Sequence, residues 1–125
     1  MASRAKPAKR SDAEVLTSAM GKIAAFWKLS NAKLGLVLGL SPATASRLRA
    51  GQATLDPASK SFEAGQFLLR LFRGLDSLMG SDDDASRRWL ATRNLDLEAR
   101  PIDLIDSFRG LIAVCDYVDA HRARV

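Results

Sequence analysis

The sequence has few of the residues that build disulfides, metal sites and membrane spans. Its 125 residues include one cysteine and one histidine. A single cysteine excludes an internal disulfide framework and fits a reducing compartment, so we expect a cytoplasmic protein. No apolar run approaches the ~18 residues that a membrane-spanning helix needs, so we expect no membrane partner. The basic residues 1–10 are not followed by an apolar stretch, so we expect no secretory signal.

Catalytic patterns are also missing. Cys115 and His121 lie six positions apart, which on one helix separates two side chains by about 120° and excludes a nucleophile–base pair. Cys115 stands among valines and is expected in the core. The acids at 82–84 precede a predicted helix, where carboxylates complement the helix dipole, so a metal site is the weaker interpretation. No phosphate-binding glycine loop is present. We expect no enzymatic activity, no metal and no cofactor.

The positive charge lies in the first half of the chain. The formal net charge is +5, and residues 1–60 hold ten Lys or Arg against three acids, whereas residues 61–125 hold nine Arg and eleven acids. Clustered Lys and Arg favour a polyanion, because they release the counterions that condense on phosphates. The alternative is a surface that only keeps the protein dissolved. The asymmetry favours different partners for the two halves.

The apolar residues repeat with helical spacing after residue 12, and no alternating pattern predicts a strand. The fold class is therefore all-α. Ser11 or Asp12 is expected to start the first helix, and Gly39 to end the second. Ser41-Pro42 is expected to open the third, because a hydroxyl cap followed by proline is a helix start.

Residues 34–51, LGLVLGLSPATASRLRAG, have the spacing of a helix-turn-helix. Gly39 falls on the tight turn, where the backbone is expected to need a positive φ. The positions expected to be buried are all apolar: Leu34, Leu38, Leu40, Ala45 and Leu48. The positions expected to face outward are Ser41, Pro42, Ala43, Ser46, Arg47 and Ala50. A plain helical hairpin fits the same leucines, but the turn, the cap and the local charge favour DNA binding.

The third helix is thus predicted to enter a DNA groove. Arg47 is the outward side chain able to contact a guanine edge through two hydrogen bonds. The hydroxyls and amides near the helix start suit phosphates, and Lys33 and Arg49 are flanking phosphate candidates. Pro42 and Ala43 make the face bland, so we expect modest base recognition that depends on DNA shape and dimer spacing; a helix-turn-helix kept only as a scaffold is the alternative. The residues predicted to contact DNA are Lys33, Ser41, Pro42, Ala43, Thr44, Ser46, Arg47 and Arg49.

The second half is predicted to be helical as well. Asp56-Pro57 is expected to open a long helix that ends at Gly80. Its wide apolar band is either a dimer surface or a core under both halves. A short helix bearing Trp89 and Leu90, both expected as core anchors, follows it.

After that short helix we expect an irregular link over residues 93–100, in which Asn94 caps or turns the backbone. A helix is expected to start at Pro101 and to break near residues 108–110, before a last helix. Gly110 is expected to allow a tight turn or a close helix contact.

The stretch from residue 34 to 51 resembles the helix-turn-helix of the Xre and Cro/C1-type repressors. The matching residues are Leu34, Gly39, Ser41, Thr44, Ser46, Arg47 and Gly51. Leu48 stands where that family usually has tryptophan, and Gly35 where it usually has alanine. The resemblance implies this fold and DNA binding.

The later part of the chain resembles the toxin-binding domain of the MbcA/ParS/Xre antitoxins. The residues that carry this resemblance, at the family's spacing, are Trp89-Leu90, Asn94, Pro101, Leu104-Ile105, Gly110 and Val114. Glu98, Ala99 and Arg100 depart from the small residues usual before that proline. Such antitoxins are bacterial partners of RES-domain toxins, which consume NAD or transfer ADP-ribose from it. The two resemblances together cover about residues 15–125.

The combined resemblance implies an antitoxin that covers the toxin's NAD pocket, forms a homodimer in a larger complex and represses its own operon by binding operator DNA. The last residues, 121–125, are inferred to block the pocket. The pocket is built to meet pyrophosphate, and Arg122, Arg124 or the terminal carboxylate would occupy that space or pair with catalytic groups. A solvated helix end is the alternative for these arginines. The predicted toxin-binding residues are Trp89, Arg93, Asn94, His121, Arg122, Arg124 and Val125.

We therefore divide the chain into a disordered basic arm, a helix-turn-helix region, a central helix and a toxin-binding module, at residues 1–12, 13–57, 58–80 and 81–125. Two other functions stay open at this point. One is a dimeric transcriptional repressor without a toxin. The other is a protein-interaction adaptor whose helix-turn-helix no longer binds DNA.

Overall fold

The computed structural model describes residues 10–123, and over this range the chain is all-helical, as predicted. Within residues 10–123, β-type backbone pairing is limited to one isolated β-bridge between Asn94 and Ala99. No helix in this range combines the length and the apolar character needed to cross a membrane. The helices are α1 Asp12–Phe26, α2 Asn31–Leu38, α3 Pro42–Arg49, α4 Lys60–Leu78, α5 Asp83–Ala91, α6 Pro101–Leu104 and α7 Phe108–Arg122.

Helix α1 begins with a capping box. The Ser11 hydroxyl accepts from the Glu14 amide at 3.1 Å, and the Glu14 carboxylate accepts from the Ser11 amide at 3.1 Å. These hydrogen bonds hold the pKa of the Glu14 carboxyl below its usual value. Ser11 was one of the two predicted caps. Residues 10–12 therefore belong to an ordered helix start and not to the predicted arm, whose residues 1–9 lie outside the described part.

Helices α2 and α3 join through the predicted turn. Ser30 caps α2 by accepting from the Lys33 amide, and Gly39 ends α2 with a φ of 72°. Ser41 caps α3, with Pro42 in its first turn. The two helices meet closely, since a Cβ on Gly35 would lie 2.5 Å from the carbonyl oxygen of Leu40. This contact leaves no room for a Cβ, which explains the glycine at position 35.

Helix α4 begins later than predicted. Asp56-Pro57 forms a turn, in which the Asp56 carboxylate accepts from the Ala58 amide and the Asp56 carbonyl accepts from Ser59. Ser59 is the actual cap and accepts from the Phe62 amide at 3.1 Å. The predicted start at Asp56 was therefore wrong. Two side chains able to cap stand three residues apart, and the first one closes its own turn instead.

The break before α7 also lies earlier than predicted. Helix α7 begins at Phe108, after the Ser107 hydroxyl accepts from the Gly110 amide at 3.0 Å. Gly110 is thus inside the helix and does not break it. A Cβ at this position would overlap the carbonyl oxygen of Leu104, so the glycine lets the end of α6 approach α7. The close contact was predicted, but the position of the break was not.

Both halves of the chain share one hydrophobic core. Helix α4 contacts α1 and α2 on the side of the helix-turn-helix, and α5 and α7 on the other. Leu68, Leu71 and Leu75 on α4 are fully buried, as are Leu111, Val114 and Val118 on α7. Of the two interpretations of the apolar band on α4, this packing favours a core under both halves. The face of α7 opposite its buried residues remains outside that core.

Candidate nucleic-acid and partner interfaces

Helix α3 presents its predicted outward face to solvent. The exposed residues are Ser41, Pro42, Ala43, Ser46, Arg47 and Ala50. Opposite them, Ala45 and Leu48 are buried together with Leu34 and Leu38 of α2, while Leu40 is half-buried. The helix-turn-helix spacing therefore divided buried from exposed positions correctly, except that Leu40 keeps part of its surface in water.

Hydrogen bonds organise the start of α3 and direct Arg47. Thr44 Oγ1 accepts from the Ser41 hydroxyl at 3.0 Å and from Arg47 Nη2 at 3.1 Å. With both acceptor positions of that oxygen used, the Thr44 hydroxyl proton is free to be donated outward, for instance to a phosphate. No acid pairs with Arg47 within residues 10–123. Its guanidinium can therefore meet an anionic or guanine partner with most of its donors.

The two predicted flanking cations have partners inside the molecule. Lys33 Nζ donates to the Asp106 carboxylate at 2.6 Å, which ties α2 to the turn between α6 and α7. Arg49 Nη1 donates to the Leu29 carbonyl at 2.9 Å and to Asn31 Oδ1 at 3.2 Å. Both residues hold the helix-turn-helix in place. Any role of theirs toward phosphates stays a prediction, with part of their donor capacity already used.

A basic cleft lies beside the far end of α3. It has a volume of about 470 Å³ and is bounded by α1 and by the loop that follows α3. Arg10, which precedes α1, and Lys22 on α1 line it together with Arg49. Sequence reasoning did not include Arg10 or Lys22 among the DNA-binding candidates, because their proximity to α3 depends on how α1 packs.

In the second half, Asn94 turns the backbone as predicted. Its side-chain oxygen accepts from the amides of Asp96 and Leu97 at 2.9 and 3.0 Å, and its own amide donates to the Ala99 carbonyl at 2.9 Å. The side-chain oxygen of Asn94 is therefore used within the loop. The NH2 group of its side chain is left for a partner. Arg93, beside it, is exposed.

Three rings form what we call the aromatic row, which consists of Trp89, Tyr117 and His121. The Trp89 and Tyr117 rings stack with centroids 6.3 Å apart, and the Tyr117 and His121 rings lie 4.2 Å apart. Trp89 is half-buried, unlike the fully buried Leu90 next to it, so its prediction as a core anchor was only partly right. Tyr117 was missed because its place beside Trp89 depends on how α7 packs against α5.

The end of α7 is basic. His121 lies against the Tyr117 ring and its Nδ1 is 3.0 Å from the Tyr117 carbonyl. Arg122 lines a cleft of about 340 Å³ with Arg70 and Arg73 of α4, and Arg70 pairs with Asp119. The remaining predicted toxin-binding residues, Arg124 and Val125, lie outside the described part of the chain.

Cys115 and the acids at 82–84 were considered above for catalysis or metal binding, and the contacts of Cys115, Asp82 and Asp84 are structural. Burial raises the pKa of the Cys115 thiol to about 12, and its sulfur donates to the Phe67 carbonyl at 3.2 Å, which confirms its place in the core. Asp82 caps α5 by accepting from the Ala85 amide, and Asp84 pairs with Arg87. Within residues 10–123, no group of three or more His, Cys, Asp or Glu side chains could hold a metal ion.

Together these features define a helix-turn-helix protein whose second half is a helical module with a polar and aromatic outer face. Comparison with known families agrees at both ends of the chain. Residues 7–73 match the antitoxin Xre-like helix-turn-helix domain, which is more than half of the chain, and residues 74–124 match the antitoxin Xre/MbcA/ParS C-terminal toxin-binding domain. A search of curated proteins gave no match.

The chain therefore belongs to the Xre/MbcA/ParS-type antitoxins, with an N-terminal DNA-binding region and a C-terminal domain that binds a toxin. The boundary between the matches, at residues 73 and 74, falls inside α4, so the helix that forms the shared core belongs partly to each domain.

Proposed function

We propose that this antitoxin neutralises a RES-domain toxin by occluding its NAD-binding active site, and that it represses its own operon through α3. The resemblance of the second half to partners of RES-domain toxins supports this choice of toxin. The observation that carries the proposal is the separation of the two surfaces: the exposed face of α3 belongs to the helix-turn-helix, and the outer face of α7 belongs to the matched toxin-binding domain.

The DNA-binding part of the proposal depends on α3. Thr44 and Ser46 supply hydroxyls for phosphates, and Ser41, which donates to Thr44, orients the Thr44 hydroxyl. Arg47 supplies the guanine contact, and Pro42 and Ala43 lie against the groove wall. One bidentate side chain gives limited base discrimination. A homodimer, with two α3 helices in successive major-groove turns about 34 Å apart, adds the specificity that one α3 lacks.

The toxin-binding part depends on the end of α7. Leu111, Val114 and Val118 of this helix are buried in the shared core, so its basic end is left for a partner. An active site that consumes NAD has space for a pyrophosphate, and a guanidinium group such as that of Arg122 would fill that space or pair with a catalytic carboxylate. Occupation of that space by residues 121–125 excludes NAD.

The direct test co-expresses the chain with the product of the open reading frame beside its gene, which we expect to encode the RES-domain toxin. We expect growth to be restored, the two proteins to co-purify, and NAD consumption by the complex to be lower than by the toxin alone. The complex is also expected to shift its own promoter in a salt-dependent way. Promoter binding without any rescue of growth would contradict the antitoxin proposal and favour the repressor without a toxin.

A further inference from the structure

One apolar side chain stands out on the toxin-binding domain. Leu95 is 86% exposed, whereas the four other large exposed hydrophobic residues of the described chain are between 37% and 56% exposed. An isolated exposed leucine on a flexible loop would need no explanation. The loop that carries Leu95 is held by many hydrogen bonds, which makes its exposure informative.

The loop around Leu95 is fixed at several points. Asn94 accepts from two backbone amides and donates to the Ala99 carbonyl, closing the loop on itself. The Tyr117 hydroxyl donates to the Asp96 carboxylate at 2.7 Å, which attaches the loop to α7. Leu97 packs against the core, and the buried Pro101 follows. Leu95 therefore stands between two anchored neighbours, in a backbone that is already ordered.

The surroundings of Leu95 connect it to the rest of the partner surface. Asp96, the next residue, is bonded to Tyr117, which is the middle ring of the aromatic row. The row ends at His121, where the segment proposed to block the toxin's active site begins. All of these residues lie within residues 74–124, the range that matches a toxin-binding domain.

We propose that Leu95 is an anchor residue that inserts into an apolar socket on the toxin, distinct from the active site that the end of α7 blocks. This inference rests on the proposed function, since the occupant is the RES-domain toxin. An apolar side chain on an already ordered backbone is suited to the purpose, because binding it costs little ordering of the antitoxin loop. Anchors of this kind contribute much of the affinity of an interface from few residues.

The proposal also separates affinity from inhibition. Leu95 on its fixed loop would supply binding strength, while the residues at the end of α7 would exclude NAD. Leu95 adjoins the middle of the aromatic row through Asp96 and Tyr117, whereas the segment at the end of α7 begins where the row ends, at His121. The two contributions should therefore respond differently to substitution.

The test measures the affinity of full-length variants for the RES-domain protein encoded beside this chain, by isothermal titration calorimetry. Burial of a leucine corresponds to a 10- to 100-fold change in affinity, so Leu95→Ser should weaken binding by about that factor. Leu95→Met, which keeps the apolar volume, should stay within about threefold of wild type. Leu36→Ser is the matched control, because Leu36 is 56% exposed but lies on α2; its affinity should equal that of wild type.

Thermal unfolding of each variant checks that the exposed substitution leaves the fold intact. Unchanged toxin affinity of Leu95→Ser would overturn the inference while leaving the proposed function standing. Loss of self-association with unchanged toxin affinity would also overturn it, and would make Leu95 a contact between copies of this chain. If wild type fails to bind the RES-domain protein, the proposed function fails and this inference with it.

Discussion

Glu98 has a backbone conformation that its side chain does not favour. Its φ is +58°, in the left-handed region. For a residue with a Cβ, this conformation costs roughly 1–2 kcal/mol of free energy relative to the right-handed one. Glu98 is exposed, so nothing on its side chain in the described structure offsets that cost.

Glu98→Gly is therefore expected to raise the free energy of unfolding by about 0.5–1 kcal/mol. The gain is smaller than the relieved strain, because glycine also makes the unfolded chain more flexible. Urea denaturation measures it, with Glu98→Ala as the control that keeps the Cβ and should change little. A glycine variant less stable than wild type would show that the glutamate makes a contact that matters.

Arg47 is the residue that we predict to recognise a base of the operator. Arg47→Ala should weaken operator binding by ~1–3 kcal/mol, because a bidentate contact to guanine is lost. Lys33→Ala should cost less, since Asp106 already neutralises that ammonium group. Gel-shift titrations at fixed salt make the comparison, and folding should be unaffected because Arg47 is exposed. Equal affinity for wild type and Arg47→Ala would place base recognition elsewhere.

At the scale of helices and loops, local patterns predicted helix boundaries correctly where only one nearby residue could cap the helix. Gly39 and Ser41-Pro42 fixed the turn between α2 and α3, because their preferences act over a few residues and nothing else nearby caps a helix. The start of α4 failed for the opposite reason, with Asp56 and Ser59 both able to cap. The choice between them is made by packing, which a local pattern does not contain.

The candidate sites also contain features that a local pattern predicts and features that it does not. The exposed face of α3 could be predicted because helical spacing alone sets it. The ion pair of Lys33 with Asp106 and the contact of Tyr117 with Trp89 could not, because the partners are far apart in sequence and meet only through α4 and α7. Periodicity states which face of a helix is buried, but not which distant residue will lie against it.

The Lys33–Asp106 pair is one of the direct contacts between the helix-turn-helix and the toxin-binding domain. It is partly exposed, with side chains 19% and 36% accessible, so solvent screens it. A double-mutant cycle with Lys33→Ala and Asp106→Ala should give a coupling free energy of about 0.5–1 kcal/mol, falling as salt is added. A coupling of zero at low salt would mean that the pair does not hold the two domains together.

At the scale of the whole molecule, one core supports two surfaces that face different partners. Helix α4 contributes buried residues to both halves, and the boundary between the two matched domains lies within it. Neither half has a complete core without α4. We therefore expect one cooperative unfolding transition, in which operator binding and toxin binding are lost together on heating.

The most direct test of this account removes residues 121–125 from the full chain and assays neutralisation of the co-expressed toxin alongside operator binding. Circular dichroism of the truncated chain serves as the control for folding. The account predicts that toxicity returns while the operator is still bound, because α3 and the core are intact. Full neutralisation by the truncated chain would contradict the claim that the end of α7 blocks the active site.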